Sequence, residues 1–239
     1  MARCTRVWLL FLLTLAACSS PSRPQPADDP AGPNTLSAAE RAAGWRLLFD
    51  GRSTTGWRGF RQTAMPSGWD VADGALTRVG GGGDIVTVDE FTDFELALEW
   101  RIAPGGNSGI MYRVSEADDA THFTGPEMQV LDNAGHPDGR SPLSSAGACY
   151  GMYPPASDAT RPVGSWNEVR IVAIGPRVEH WLNGTRVVEY EIGSADWLLR
   201  LQSSPFRDLP RYGREPRGRI ALQDHGDRVA YRSVKILSR

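Results

Sequence analysis

The 239-residue chain is 41% hydrophobic and 23% charged, with a formal net charge of −2. That balance belongs to a globular protein with an apolar core, and it excludes a wholly disordered or low-complexity chain. No basic block is present, so nucleic acid is not an expected partner.

The chain opens on targeting rather than on fold. Arg3 and Arg6 precede an apolar run over residues 7–15, which is too short to cross a bilayer and has the flanks of a signal peptide. Leu15-Ala16-Ala17-Cys18 resembles a bacterial lipobox, which implies cleavage before Cys18 and acylation of that cysteine. The mature protein is then expected in the cell envelope, outside the cytoplasm and held to a lipid bilayer by Cys18. A signal peptide over 1–17 is followed by a flexible tether over 18–36, where "SSPSRPQPADDPAGPNT" offers almost nothing to bury. Ser37 and Glu40 then have the spacing of a capping box, starting a short helix that Gly44 closes. Residues 37–239 form the single folded domain. Of the three cysteines, only Cys149 lies inside it, so no internal disulfide is available. Between Ala148 and Tyr150 it reads as a small buried residue more readily than as a nucleophile.

Beyond Gly44 the pattern is one of short alternating strands. "WDVADGALTRV" carries Asp73-Gly74 between alternating residues, a hairpin signature, and Asn183-Gly184 marks a second tight turn. "DFELALEWRI" sets Phe94, Leu96, Leu98 and Trp100 against Glu95, Ala97, Glu99 and Arg101. "SGIMYRV", "EMQVL", "NEVRIVAIG", "RVEHWLNG", "TRVVEYEI", "GRIALQD" and "RVAYRSVKIL" continue the series. Many short strands at this spacing predict an all-β antiparallel sandwich or barrel with almost no helix. Two loops break the rhythm. The glycine run at 80–83 lacks the strand-to-helix setting of a phosphate cradle and reads as a flexible link. Residues 151–166 are long and Pro-rich, as functional lids and rims often are.

The four histidines, His122, His136, His180 and His225, show no metal-ligand spacing. A mixed site using Asp132, His136 or His225 with Glu127 is open to a fold that brings distant strands together. A Ser–His–Asp arrangement lacks its nucleophile elbow. The polar residues opposite the bulky faces are more informative. Glu127 and Gln129 alternate against Met128 and Val130; Asn107 and Arg113 alternate against Ile110 and Tyr112; Gln223 and His225 alternate against Ile220 and Leu222. On one curved sheet, Glu99, Arg113, Glu127, Gln129, Gln223 and His225 could share a concave side suited to sugar hydroxyls. Alternation alone favours a solvated sheet face with the eight tryptophans in the core.

Eight segments carry a resemblance that shifts this balance. "LFDGRSTTGW", "WDVADGAL", "DFELALEWRIAPGGNSGIMYR", "EMQVLDN", "GACYGMYPP", "WNEVRI", "VEHWLNG" and "ALQDHG" resemble, in order and across residues 44–239, the 3-keto-disaccharide hydrolase family (3-keto-alpha-glucoside-1,2-lyase/3-keto-2-hydroxy-glucal hydratase domain). The resemblance implies a concanavalin-like jelly roll of two antiparallel sheets acting on an oxidised sugar, a 3-keto-glucoside. A ketone acidifies the neighbouring C–H. A base then removes that proton, the anion expels the aglycone, and water can add back. Such chemistry needs a base, an oxyanion donor and an acid. Glu127, His225 and Glu99 are the candidate catalytic groups. Arg113, Gln129 or a divalent cation could hold the oxyanion, and His136 or Tyr150 could protonate the leaving oxygen. Asn107, Asp132 and Gln223 complete the candidate substrate-binding set. No cofactor motif is present. The Glu-x-Asp-x-x-Glu strand of glucanases with this fold is also missing: Glu90-Phe91-Thr92-Asp93-Phe94-Glu95 has a different spacing, so a retaining carboxylate pair is not expected.

Overall fold

The computed structural model describes Met1 and residues 32–239. The expected signal peptide, the acylation site Cys18 and most of the tether therefore lie outside the described residues. The first helix is α1 (Ala38–Ala43). The Ser37 side chain accepts from the Glu40 amide, the Glu40 carboxylate accepts from the Ser37 amide, and Gly44 ends the helix in a left-handed conformation.

Thirteen strands follow: β1 (Arg46–Leu47), β2 (Trp57–Gly59), β3 (Trp69–Ala72), β4 (Ala75–Arg78), β5 (Ile85–Thr87), β6 (Phe94–Ile102), β7 (Asn107–Val114), β8 (Glu127–Leu131), β9 (Asn167–Ile174), β10 (Arg177–Leu182), β11 (Thr185–Glu191), β12 (Arg219–Leu222) and β13 (Val229–Ser238). They form two sheets with antiparallel pairing throughout. One has the order β11-β10-β9-β6-β13-β4-β3, with β1 also on β13; the other has the order β2-β5-β12-β7-β8. This is the jelly-roll sandwich. Both expected two-residue turns are present. Asp73 and Gly74 have φ of 52° and 71°, and Asn183 and Gly184 have φ of 49° and 80°. The positive pair matches the right-handed strand twist, and Asp, Asn and Gly tolerate it at least cost.

The core lies between the sheets. Phe94, Leu96, Leu98 and Trp100 of β6 meet Ile110, Tyr112, Met128, Val130, Ile220 and Leu222 from β7, β8 and β12 in one apolar cluster. Alternation in these strands thus separates core-facing from outward residues as expected. Helix is sparse, as expected, with one addition to the sequence reading. A second helix, α2 (Ala195–Gln202), is capped by Ser194 and buries Trp197 and Leu201. Its two turns are too short for periodicity to reveal in sequence.

Trp197 joins a run of near-parallel rings. Tyr153–Tyr190 centroids lie 4.9 Å apart, Tyr190–Trp197 5.1 Å, Trp197–Tyr212 5.9 Å and Tyr212–Phe206 4.1 Å. Cys149 lies fully buried, and burial pushes its thiol up to about 12, which removes it as a nucleophile at neutral pH. His180 is equally buried, between Tyr112 and the Gly147 carbonyl; burial holds its imidazole down to about 4. It is a core residue.

Candidate active site

The outward face of the five-stranded sheet carries the site. Gly109 of β7 stands opposite Gln129 of β8, and Met111 opposite Glu127. On the other side of β7, the Gln223 amide donates to the Gly109 carbonyl at 3.0 Å, and Ser108 Oγ donates to the Gln223 carbonyl at 2.7 Å. Three adjacent strand segments therefore present Asn107, Glu127, Gln129 and Gln223 side by side. Together with His122, Asp138, Tyr150, Phe206 and His225 they line a cleft of about 240 Å³.

Surrounding turns hold the rim. The Tyr150 amide donates to the Glu127 carbonyl and the Gly147 amide to the Gln129 carbonyl, so residues 147–150 extend the sheet beyond β8. The loop after β12 is pinned through Asp224, which pairs with Arg78 and takes the Gly83 amide at 3.0 Å, while its own amide donates to Asp84. The glycine run at 80–83 thus closes against the site's supporting loop.

Glu127 is the unusual group. It is 5% exposed, and no described residue donates a hydrogen bond to its carboxyl. Burial pushes it up to about 8, and the charges of Asp84 and Asp138 act in the same direction. Its carboxyl lies directly over Gly109, where an added Cβ would overlap Oε1 and stand 2.6 Å from Cδ. Around it, Gln129 Nε2 and Oε1, Asn107 Oδ1 and Gln223 Oε1 are buried without partners. Buried amides are normally satisfied, and four orphaned atoms on residues that line one cleft are groups that a polyhydroxylated ligand can satisfy.

Glu127, Gln129, Asn107, Gln223, Tyr150 and His225 come together in this cleft. His136 stands beside His225, with ring centroids 6.1 Å apart. Three expectations are corrected. Glu99 lies on the other sheet, where its Oε2 accepts from Arg232 at 2.7 and 3.0 Å beside a separate hollow of about 470 Å³. Arg113 takes a positive φ of 53° and donates to the Thr92 carbonyl at 2.9 and 3.1 Å, tying β7 to the bend before β6 outside the cleft. Asp132 caps a turn, accepting from Gly105 at 2.7 Å and from Ala134 and Gly135. The long loop at 151–166 also contributes nothing to the cleft; it lines a hollow with Asp132 and Asn133.

The placement of Glu99 gives a direct check. Glu99→Ala should leave sugar turnover unchanged and cost no more than about 1 kcal/mol in a thermal or denaturant melt, since a partly exposed pair contributes little.

Sequence reasoning missed His122, Asp138 and Phe206. Two sit on single-turn 3-10 segments, Thr121–Phe123 and Pro137–Arg140, and Phe206 on the irregular chain after α2, so no periodicity points to them. Phe206 is nonetheless firmly placed, since Tyr212 stacks on it with planes 9° apart.

A jelly roll with a buried acid and unpartnered amides in an outward-facing cleft, together with the likenesses below, defines a carbohydrate-active protein of the glycoside-hydrolase kind. The chain belongs to the 3-keto-alpha-glucoside-1,2-lyase-like domain family, whose model matches residues 44–237. It is 33% identical over 227 residues to a protein of Bacteroides thetaiotaomicron named 3-keto-disaccharide hydrolase, covering 82% of this chain and 78% of that one. A crystal structure from Parabacteroides distasonis, assigned provisionally as a glycosyl hydrolase, superposes with a TM-score of 0.81 at 35% identity over 87% of this chain and 100% of that chain. A second from the same organism, with the same provisional assignment, gives a TM-score of 0.63 at 28% identity, covering 82% and 99%.

Proposed function

We propose that the protein cleaves 3-keto-glucosides by eliminating the aglycone, and that hydration of the resulting unsaturated sugar completes a net hydrolysis. The observation that carries this reading is Glu127, a buried carboxyl pushed up to about 8 among orphaned amides. An ordinary carboxylate near 4.5 is too weak a base for a C–H proton, and raising it by burial strengthens it. Glu127 takes the proton from C2. The C2–H electrons form the C1=C2 double bond as the C1–O bond breaks, and the C3 ketone carries the negative charge in passing. Gln129 Nε2 is a free donor for that oxygen. The leaving oxygen takes a proton from Tyr150, whose hydroxyl burial holds above its usual value, with the Asp138 and Glu127 charges adding to this. It therefore keeps its proton at neutral pH. Phe206 gives the cleft an apolar aromatic wall for the sugar. Addition of water at C1, with return of a proton to C2, regenerates a saturated 3-keto sugar. With Cys18 acylated, this takes place in the cell envelope.

The test is incubation of the purified protein with a 3-keto-glucoside in D2O. Aglycone release with loss of the original C2 protium, seen as the unsaturated sugar or, after hydration, as deuterium at C2, is the expected result. Release with the original C2 protium retained overturns the elimination, and saturable sugar binding without release makes the protein a carbohydrate-binding lipoprotein instead.

A further inference from the structure

Beside the cleft, three side chains left unused by Glu127 chemistry converge. His136, His225 and Asp227 each bring one ligand atom within 4.8 Å of the others. His136 comes from the turn after β8; His225 and Asp227 come from the loop between β12 and β13, which Asp224 pins. Two imidazoles and one carboxylate suit Mn2+, Fe2+, Co2+ or Zn2+ better than Mg2+ or Ca2+, which favour all-oxygen shells.

The surroundings have the layout of an outer shell. Asp227 Oδ2 accepts the Asn107 amide at 3.0 Å, while Oδ1 takes no hydrogen bond from the described residues. His136 Nδ1 accepts the Asp138 amide at 3.1 Å and lies 3.9 Å from Asp138 Oδ2. With Nδ1 accepting that amide, the His136 proton sits on Nε2. An ion on Nε2 would displace it, and the Nδ1 proton then required would have to turn from the amide to the Asp138 carboxylate, giving the carboxylate–imidazole–metal arrangement common around bound metals. Asn107 links Asp227 to Asp138, since its Nδ2 donates to Asp138 Oδ2 at 3.3 Å. It is 2% exposed, and its Oδ1 has no partner. This buried acceptor without a donor, on a residue joined to both Asp227 and Asp138, is open to a metal-bound water as well as to a sugar hydroxyl.

We propose that His136, His225 and Asp227 bind one divalent transition-metal ion at the edge of the cleft, with Asn107 and Asp138 as supports. His225 also lines the cleft, so the ion and Glu127 face one bound sugar. In the catalytic part of the inference, which rests on the elimination reading above, the ion acts as a Lewis acid on the C3 ketone oxygen while Glu127 removes the C2 proton.

Binding is tested without any sugar. EDTA-stripped protein is titrated with Co2+ and followed by calorimetry and visible absorption. One equivalent is expected, with at least about a tenfold loss of affinity in His225→Ala and in Asp227→Ala. His122→Ala removes a cleft imidazole outside the cluster and should keep the full equivalent. Where a thermal melt shows that an alanine variant has not folded, His225→Gln carries the comparison. No stoichiometric binding, or binding unchanged in the cluster variants, overturns the site. The 3-keto-glucoside assay then separates the two parts. A rate that falls at least tenfold on stripping and returns with Co2+ or Mn2+ supports the catalytic ion. Full rate in stripped protein overturns that role and leaves the elimination standing. Metal bound with no turnover leaves the site standing and overturns the elimination.

Discussion

Glu127→Gln should lower aglycone release from a 3-keto-glucoside by at least about 10³-fold, within the range that a general base contributes, while raising stability in alkali. The amide keeps the shape of the carboxyl and cannot accept the C2 proton. In the wild type, kcat/KM should climb with pH and level off above about 8, following ionisation of the free enzyme's base. The variant's residual rate should lose that rise. Stability follows the same group with the opposite sense. Glu127 ionises near 4.5 in the unfolded chain and near 8 in the folded one, so between those values the folded state holds a proton that the unfolded chain has released. Stability is undiminished below about 4.5, declines as pH rises, and is lowest above about 8, by an upper limit of a few kcal/mol. Glu127→Gln carries no such penalty. Its melting temperature should match that of the wild type near pH 4 and exceed it at pH 9. A wild-type melt that does not weaken relative to the variant between these values would show that the carboxyl ionises freely.

Much of this site was legible because alternation is a local property. Met128 and Val130 had to enter the core if β8 formed, which turned Glu127 and Gln129 outward whatever the strand paired with. The same holds for Gln223 and His225 beyond β12. Alternation cannot say which of two outward faces a residue joins. Glu99 satisfies the same rule as Glu127, yet β6 pairs with β13 in the other sheet, where Arg232 neutralises it. Arg113 failed for another reason: its positive φ redirects the chain end of β7, a backbone feature with no mark in composition. His122, Asp138 and Phe206 arrive on short irregular segments, positioned by tertiary contacts rather than by any repeat. Asp227 escaped notice in the same way, and its role beside His136 exists only once the turn after β8 and the loop after β12 lie together.

The second large effect concerns a residue with no side chain. Gly109→Ala should reduce turnover by about 10²-fold or more, comparable to other small displacements of a reacting group, at a stability cost of about 1–3 kcal/mol. The backbone does not demand glycine here, since Gly109 lies outside the left-handed region that β7 reaches at Arg113. What demands it is the carboxyl above. A Cβ would stand 2.6 Å from Glu127 Cδ and 2.9 Å from Cγ, closer than carbon atoms can pack, so the Glu127 side chain must swing from the sheet. Swung outward, it regains water, and the desolvation that weakens its acidity is relieved. The pH–rate midpoint of Gly109→Ala should therefore move below about 8 toward the ordinary carboxylate range, whereas Glu127→Gln loses the transition altogether. The alkaline loss of stability should shrink in parallel. A variant that retained both the wild-type rate and the wild-type midpoint would mean that contact with Gly109 plays no part in setting the base. A slow variant with an unmoved midpoint would assign the defect to sugar placement instead. Gly109 thus makes Glu127 reactive by what it omits: the missing Cβ leaves the space in which a carboxyl can lie dry against the sheet.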